Sequence, residues 1–345
     1  MKRQKNSGDV QTKFELFLSK ISDYFYNISV KLHSKKKNKG EKTVSMASNR
    51  KKQLVFYFSL VALPIIHYLI FYVGVNINSI LLAFKEYVGV NGVVYRPVGF
   101  ANFERFFQEF FHGQMLKQML VNSLTFYFVG LIVGLPLALF FSFYIYKKYF
   151  LSEFFRVVLF FPSIISSVVT AFMYLFMVDV GLVEIMAKFG VEMLPPLGEP
   201  EMRMPAVLFY NVMMSFGTNI IMYSSAMTRI PVSVVEYAAI DGVKPFKEFV
   251  SITIPLIFDT MSTFLIVGVT GIFTNQAHLY ALFAKSAGIE VQTFGYYTFL
   301  LTNLGVTEIE FPYAATLGII FTLILVPLTM FVRWLLAKIN PDVQY

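Results

Sequence analysis

The 345-residue chain is 56% hydrophobic and 14% charged, whereas soluble domains have roughly 45–50% apolar and about 25% charged residues. A chain this apolar would leave large apolar patches on a water-exposed surface. It contains no cysteine, which excludes disulfides, zinc–thiolate sites, iron–sulfur clusters and cysteine nucleophiles. The composition therefore indicates a protein that lies mostly in a membrane.

Residues 1–52 form a basic N-terminal arm. The arm carries 14 of the 29 Lys and Arg side chains and a net charge of +10, whereas the rest of the chain carries −2. The overall charge of +8 is therefore local and does not indicate nucleic-acid binding. Apolar residues at helical spacing from Phe14 to Leu32 predict an amphipathic helix over 13–32 on the inner leaflet. The alternative is a partly disordered tail held inside by its charge.

Six apolar segments have the ~20-residue length that a helix needs to cross a bilayer core. Because backbone groups in lipid must be satisfied internally, these segments predict an all-α membrane protein with a six-helix bundle over residues 53–338 and a short tail over 339–345. The predicted spans are 54–75, 123–146, 157–178, 205–227, 256–273 and 313–334.

The distribution of charge predicts the orientation of this bundle. Outside the arm, Lys and Arg cluster in the 147–156 turn, in the 228–255 loop and near the C-terminus. The alternate loops hold seven basic and eleven acidic residues. The positive-inside bias therefore places both termini and the 228–255 loop in the cytoplasm, and places 179–204 and 276–312 outside.

The 228–255 loop is a compact polar patch within an otherwise apolar chain. Pro231 suits the start of a helix, and Gly242 suits a left-handed helix stop. Pro245 is expected to restart a helix that buries three apolar side chains, and Pro255 opens the next span. An interfacial helix pair resting on headgroups is the alternative to a docking element. The buried side chains are expected to be Phe246, Phe249 and Val250, and the exposed apolar face is expected to consist of Val234, Val235, Ala238 and Ala239.

Polar residues within the predicted spans are candidates for a transport path, because polar groups at membrane depth usually face the bundle interior. Hydrogen bonding between helices explains them equally well. Gly268 and Gly271 are interpreted as sites of close helix packing. The candidate path residues are Asn211, Asn219, Tyr223, Thr270, Asn275, Gln276 and Tyr280.

The loop resembles a family signature. Glu236-x-Ala238-Ala239-x-x-Gly242, followed by Ile252-x-Ile254-Pro255, is similar to the EAA motif of importer-type ABC permeases. It departs from the common form at Tyr237 and Ile254. Stretches over 98–103, 122–124, 155–162, 181–183 and 313–315 resemble the sugar-importing branch, the relatives of the maltose transporter's membrane subunits.

The resemblance implies a type I importer permease subunit in a bacterial cytoplasmic membrane, which is not itself an enzyme. Such a subunit binds no cofactor or metal of its own and no nucleic acid. Its partners would be a second permease, two cytoplasmic ATPases that use ATP and Mg, an extracytoplasmic sugar-binding protein and membrane lipid. The coupling residues carried over are Glu236, Ala238, Ala239, Asp241, Gly242 and Pro255.

Two other functions stay open on the sequence alone. The first is an ABC permease for a non-sugar solute such as a polyamine or phosphate, although no Lys or Arg lies deep in a predicted span. The second is an ATP-independent channel or secondary transporter, which normally shows inverted repeats or buried ionisable residues.

Overall fold

The computed structural model describes residues 46–89, 95–303 and 310–339, with side chains from residue 53 onwards. The predicted helix over 13–32 and all but the first residue of the predicted tail over 339–345 lie outside the described residues. Where described, the chain is almost entirely helical, apart from two short antiparallel strands, β1 (Lys85–Tyr87) and β2 (Tyr95–Pro97).

The helices follow one another with few long connections. Two of them begin at Pro200 and Pro245, and proline suits a first turn because its nitrogen has no hydrogen to donate. The α-helices are α1 (Met46–His67), α2 (Val75–Leu82), α3 (Ala101–His112), α4 (Met115–Val129), α5 (Leu135–Tyr146), α6 (Ser152–Ile164), α7 (Ser167–Leu175), α8 (Val183–Lys188), α9 (Pro200–Met227), α10 (Val232–Ile240), α11 (Pro245–Glu248), α12 (Ile254–Leu256), α13 (Phe258–Thr274), α14 (Leu279–Phe283), α15 (Phe294–Asn303) and α16 (Phe311–Ile339). Four π-helical segments join some of them: Tyr68–Gly74, Gly130–Gly134, Phe176–Leu182 and Phe249–Thr253.

Within the described residues, five helical stretches are long and apolar enough to cross a membrane, and a bent pair raises the number to six if it counts as one span. The bent pair consists of Pro245–Leu256 and Phe258–Phe283, which meet at 71°. The number and approximate order agree with the sequence prediction. The five stretches are Gln53–Leu82, Met115–Tyr146, Ser167–Lys188, Pro200–Met227 and Phe311–Ile339.

The third predicted span, 157–178, is wrong in its boundaries. The helix stops at Ile164, because Ile165 and Ser166 adopt extended ψ angles of 148° and 132°. The candidate span then runs from Ser167 to Lys188. The hydropathy of this region is continuous across the break, so composition alone indicated one helix where the backbone forms two.

The segment Met46–Gly74 forms a compact unit of its own. Its apolar side chains from Leu54 to Tyr72 are exposed, with Leu63 at 76%. A water-exposed helix of this kind would be unfavourable, whereas a bilayer solvates it at no such cost. The segment is therefore built to face hydrocarbon or another membrane helix.

The unit that starts at Val75 has three main apolar clusters. The first joins α3, α4, α13, α15 and α16 around Phe273 and Phe321, whose rings stack at 4.8 Å. The second joins α7, α9 and the 277–296 region around Tyr174 and Tyr210. The third joins α5, α9 and the 230–257 segment around Phe143 and Phe249.

Side-chain amides support the turns between these helices. Asn102, in the 98–103 stretch, donates hydrogen bonds to the carbonyls of Ala83 and Lys85 at 2.9 and 2.8 Å. Gly99 precedes it with φ = +62°, a conformation in which a side chain is strained. This stretch is therefore a backbone clamp that holds the start of α3 against the end of α2.

The end of the bundle that carries α3 is tied together by charge and aromatic contacts. The Tyr313 hydroxyl donates to Glu109 Oε2 at 2.5 Å, and the Arg105 guanidinium lies 4.1 Å from the Tyr313 ring centroid. Burial, with Glu109 and Glu310 nearby, raises the pKa of Tyr297 to about 12. The Tyr297 hydroxyl therefore stays protonated at neutral pH, and this corner adds no further negative charge.

Helices α6 and α9 approach closely at Gly217. A Cβ atom there would lie 2.7 Å from the Leu159 carbonyl oxygen and 2.9 Å from the Phe160 Cα. Both neighbours are main-chain atoms and cannot rotate away. Gly318 in α16 differs, because a Cβ there meets no atom within 4 Å.

We expect Gly217→Ala to lower the free energy of unfolding by about 1–3 kcal/mol, the usual cost of overpacking. The control Gly318→Ala is expected to be neutral or slightly stabilising, since alanine favours helices over glycine by roughly 1 kcal/mol. Thermal unfolding of the purified protein in detergent measures both. Equal melting temperatures for the two variants would contradict the close approach at Gly217.

Candidate coupling segment and polar cavity

Residues 228–255, the coupling segment, contain a short helix with defined ends. Helix α10 begins after Pro231 and stops at Gly242, which has φ = +67°. The Gly242 N–H donates to the Ala239 carbonyl at 3.1 Å, and the Val243 N–H donates to the Ala238 carbonyl at 3.0 Å. These two bonds form a Schellman C-cap, which requires the left-handed glycine. Asp241 occupies the exposed C-cap position.

The face that α10 exposes is not the predicted one. Ala238 is buried at 5% exposure, and Val234 and Val235 pack against the third apolar cluster. The exposed face instead carries Glu236 and Ala239, together with three large apolar side chains: Val232, Tyr237 and Ile240, each about 70–80% exposed. Helical spacing places Val234, Val235 and Ala238 on one side, and that side packs on the protein's own core.

Beyond α10, the coupling segment is anchored by one aromatic side chain. Phe249 is buried at 8% exposure, and its ring centroid lies 5.0 Å from that of Phe143 in α5. Phe246 and Val250 were also expected to be buried, and that expectation is wrong, since they are 73% and 45% exposed. Pro255 is exposed at the N-terminal end of α12. The segment is thus anchored on one side and open on the other.

A cavity of about 320 Å³ lies between α4, α9 and α13. Four of the predicted path residues line it: Asn211, Asn219, Tyr223 and Asn275. The lining also includes three further aromatic rings, Phe126, Tyr127 and Phe264. Three hydroxyl side chains that the sequence interpretation did not assign to the path line it as well: Ser123, Ser215 and Thr293. The cavity therefore combines amides, hydroxyls and aromatic faces.

Three other predicted path residues do not line this cavity. Thr270 is exposed, and its hydroxyl donates to the Val267 carbonyl at 2.7 Å. Gln276 is half-buried in the turn before α14, and Tyr280 packs its ring 5.0 Å from that of Phe299. An α-helix has 3.6 residues per turn, so adjacent residues point in different directions. Gly271 therefore lines the cavity, whereas its neighbour Thr270 does not.

Glycines supply part of the cavity volume. Gly268 and Gly271 line it, and a Cβ on Gly268 would come no closer than 3.6 Å to the Tyr127 ring. That distance is an ordinary van der Waals contact, so close helix packing does not require glycine at this position. The missing side chains instead leave space beside Tyr127, and Gly130 also lines the cavity.

Asn275 and Thr293, at the two ends of the 275–293 turn, form the part of the cavity lining that we call the end wall, and α4 holds this turn in place. Asn122 is 1% exposed and donates hydrogen bonds to the carbonyls of Ile289 and Gln292, both at 2.9 Å. The Thr293 hydroxyl donates to the Asn275 carbonyl at 2.9 Å. The 122–124 stretch, recognised in the sequence by likeness alone, is therefore the support of this end wall.

We expect Asn122→Ala to loosen the end wall, because two main-chain carbonyls lose their donor at a cost of about 1–3 kcal/mol. Tryptic cleavage after the exposed Lys285 is expected to accelerate about tenfold, since 1.4 kcal/mol is a factor of ten. Asn303→Ala, at the exposed end of α15, is the matched control. Equal cleavage rates in the two variants would show that Asn122 does not hold the turn.

Comparison with solved structures supports the fold. The chain matches the bacterial ABC transporter involved in the import of the acidic polysaccharide alginate with a TM-score of 0.70, over 86% of this chain and 99% of that one. The sequence identity is 20%, so the likeness concerns the fold.

Two curated relatives share sequence with most of the chain. The sn-glycerol-3-phosphate transport system permease protein UgpA of Yersinia pestis is 26% identical over 236 residues, which is 68% of this chain and 78% of UgpA. The diacetylchitobiose uptake system permease protein NgcF of Streptomyces coelicolor is 24% identical over 280 residues, which is 78% of each.

The family assignment rests on the C-terminal two thirds of the chain. Residues 115–345 match the model for the binding-protein-dependent transport system inner membrane component. This match contains the cavity and the coupling segment. It excludes a stand-alone channel or secondary transporter. The chain therefore belongs to the family of binding-protein-dependent transport system inner membrane components and is a multi-pass protein of the bacterial plasma membrane.

Proposed function

We propose that the chain is the permease subunit of an ATP-driven sugar importer. It forms half of the translocation path and couples the closure of ATPase subunits to alternating access. The observation that carries this function is the shape of the coupling segment. Its inner side is packed into the bundle, while Glu236, Tyr237 and Ile240 face outwards. Large exposed apolar side chains around one carboxylate suit a protein partner.

The coupling segment would meet the ATPase in the cytoplasm. The excess of Lys and Arg in the N-terminal arm, the 147–156 turn and the coupling segment favours that side for all three and for both termini. Glu236 would pair with a basic ATPase side chain, and Ala239 would permit close approach. Ala238, Gly242 and Pro255 would act from within this chain by setting the shape of the segment, with Asp241 at its exposed turn.

The other partners follow from the mode of transport. Two ATPase subunits would bind ATP and Mg, and this chain would hold neither. A second permease, different in sequence, would complete the path, and lipid would surround the pair. An extracytoplasmic sugar-binding protein would dock on the end that carries the 179–204 and 276–312 segments. The likeness to an alginate transporter solved with a substrate-bound periplasmic protein supports that arrangement.

The cavity favours an uncharged sugar. Among the residues that the structure describes, no charged side chain lines it. Amides and hydroxyls match sugar hydroxyls, and the Tyr127 and Phe264 rings match apolar sugar faces. The relative NgcF is named for uptake of diacetylchitobiose, an oligosaccharide, which supports this substrate class.

A non-sugar solute is the second candidate, and the relative UgpA supplies the observation for it, since it is named for sn-glycerol-3-phosphate. A phosphate ester carries negative charge, and its recognition usually employs Arg, Lys or helix N-termini. The described lining of the cavity offers neither Arg nor Lys. The neutral sugar is therefore the function that we propose.

We expect Glu236→Arg to abolish sugar uptake while the protein still reaches the membrane, because truncating or reversing a charge at a desolvated contact costs about 2–5 kcal/mol. Glu153→Arg makes the same change at an exposed carboxylate of α6 and is expected to retain uptake. Uptake of radiolabelled oligosaccharides by cells that express each variant measures the effect. Normal uptake by the Glu236 variant would contradict docking through this residue.

We expect Asn219→Leu to reduce sugar uptake about tenfold, since a lost hydrogen bond to a bound sugar costs about 1–1.5 kcal/mol. Basal ATP hydrolysis by the assembled complex should stay unchanged. Thr263→Val is the control, because this exposed α13 residue lies outside the cavity lining and its hydroxyl only donates to the Asp259 carbonyl. If uptake by the Asn219 variant equals that of the control, the cavity is not the path.

A further inference from the structure

A partly buried ion pair joins the coupling segment to a distant part of the chain. Lys147 Nζ lies 2.8 Å from Glu248 Oε1, and the two side chains are only 21% and 9% exposed. The partners are 101 residues apart in sequence. In contrast, the nearby Arg156–Glu153 pair lies within one helix at 3.8 Å, with both side chains largely exposed. A buried pair survives only with good geometry, because both charges lose their hydration.

Aromatic rings lie beside the pair. The Phe143 ring centroid lies 6.0 Å from Lys147 Nζ and 5.0 Å from the ring of Phe249, the anchor of the coupling segment. Lys147 also ends α5, where its N–H donates to the Phe143 carbonyl at 2.9 Å. A cation at this position complements the negative end of the helix dipole. The ammonium group is thus held by α5 and aimed at the carboxylate of the coupling segment.

The pair joins the coupling segment to α5, and α5 begins at the cavity lining. Glu248 ends α11 and is followed at once by the π-helical segment Phe249–Thr253. Lys147 follows the last residue of α5, whose first residue, Leu135, lines the cavity. Helix α5 has 12 residues and is therefore about 18 Å long. The pair connects the coupling segment to a helix that reaches the cavity wall.

We propose that Lys147 and Glu248 are a positioning pair that transmits movement of the coupling segment to α5. The inference rests on the proposed function, because it requires an ATPase that moves the segment. Neither residue touches the sugar or the nucleotide. The apolar contacts of Phe143 and Phe249 are non-directional and tolerate sliding, whereas a single buried ion pair fixes one relative position.

This division of roles predicts how a broken pair behaves. The apolar cluster that includes Phe249 would keep the coupling segment folded and able to dock. Movement of the segment would then reach α5 only in part. ATP hydrolysis would continue, and fewer sugars would cross for each ATP consumed. A purely structural role would instead reduce hydrolysis and transport together.

The test uses the whole complex in proteoliposomes, with its ATPase and its sugar-loaded binding protein. Lys147→Glu, Glu248→Lys and the double reversal are compared for sugar transported per ATP hydrolysed. Each single reversal places like charges together in a buried site, and we expect this ratio to fall about tenfold. The double reversal restores an opposite pair and is expected to regain at least half of the wild-type ratio. Glu153→Lys, which alters an exposed carboxylate, is expected to keep the full ratio.

An unchanged ratio in the single reversals, or a double reversal as poor as either single, would overturn the proposal. If the reversals prevent assembly, Glu248→Gln and Lys147→Met remove one charge at nearly constant shape. These two variants are expected to lower the ratio about threefold, and an unchanged ratio would equally overturn the proposal. Failure of the proposed function has a separate signature, since the wild-type complex would then show no ATP hydrolysis that the sugar-loaded binding protein stimulates.

Discussion

The requirement that backbone groups find hydrogen-bond partners inside a membrane governs the rest of this structure. Long helices meet the requirement by themselves, and the remaining difficulty lies where helices end. Here side chains supply the missing donors: Asn102 serves two carbonyls after α2, and Asn122 serves two carbonyls in the turn before α15. The polar residues that resemble family motifs are therefore structural supports. They hold the turns in place, and residues within the spans line the cavity.

Charged side chains in an apolar setting also need a partner, and this applies at the C-terminal end of α5. Glu248 is buried and Lys147 is only partly exposed, so an unpaired charge there would be costly, and the pair stabilises both side chains. The pair must therefore keep its geometry whenever the segment moves. Exposed side chains such as Tyr237 and Ile240 lie under no such restraint from this chain. The coupling segment is thus rigidly connected on its inner side and free to bind on its outer side.

Much of the fold was predictable because apolar length and glycine or proline positions have local causes. The spans and the C-cap at Gly242 are of this kind. The break at Ile165–Ser166 was not predictable, because both residues also suit a continuous helix. Which face of α10 is buried depends on its packing against α5 and α9, so the outward placement of Val234, Val235 and Ala238 was wrong. Hydrophobicity identified the apolar side chains, and tertiary contacts decided which of them were buried.

The cavity and the coupling segment depend on the same helices, and this arrangement has a mechanical consequence. Helix α9 carries Asn211 and Asn219 on the cavity wall and runs directly into the coupling segment, while α5 starts beside the cavity and ends at the ion pair. π-helical segments lie at Gly130–Gly134, before α5, and at Phe249–Thr253, after Glu248. π-helical segments are rare and often occur at functional sites. Under the proposed function, a displacement of the coupling segment would therefore reach the cavity wall through α5 and α9, which connect the two sites.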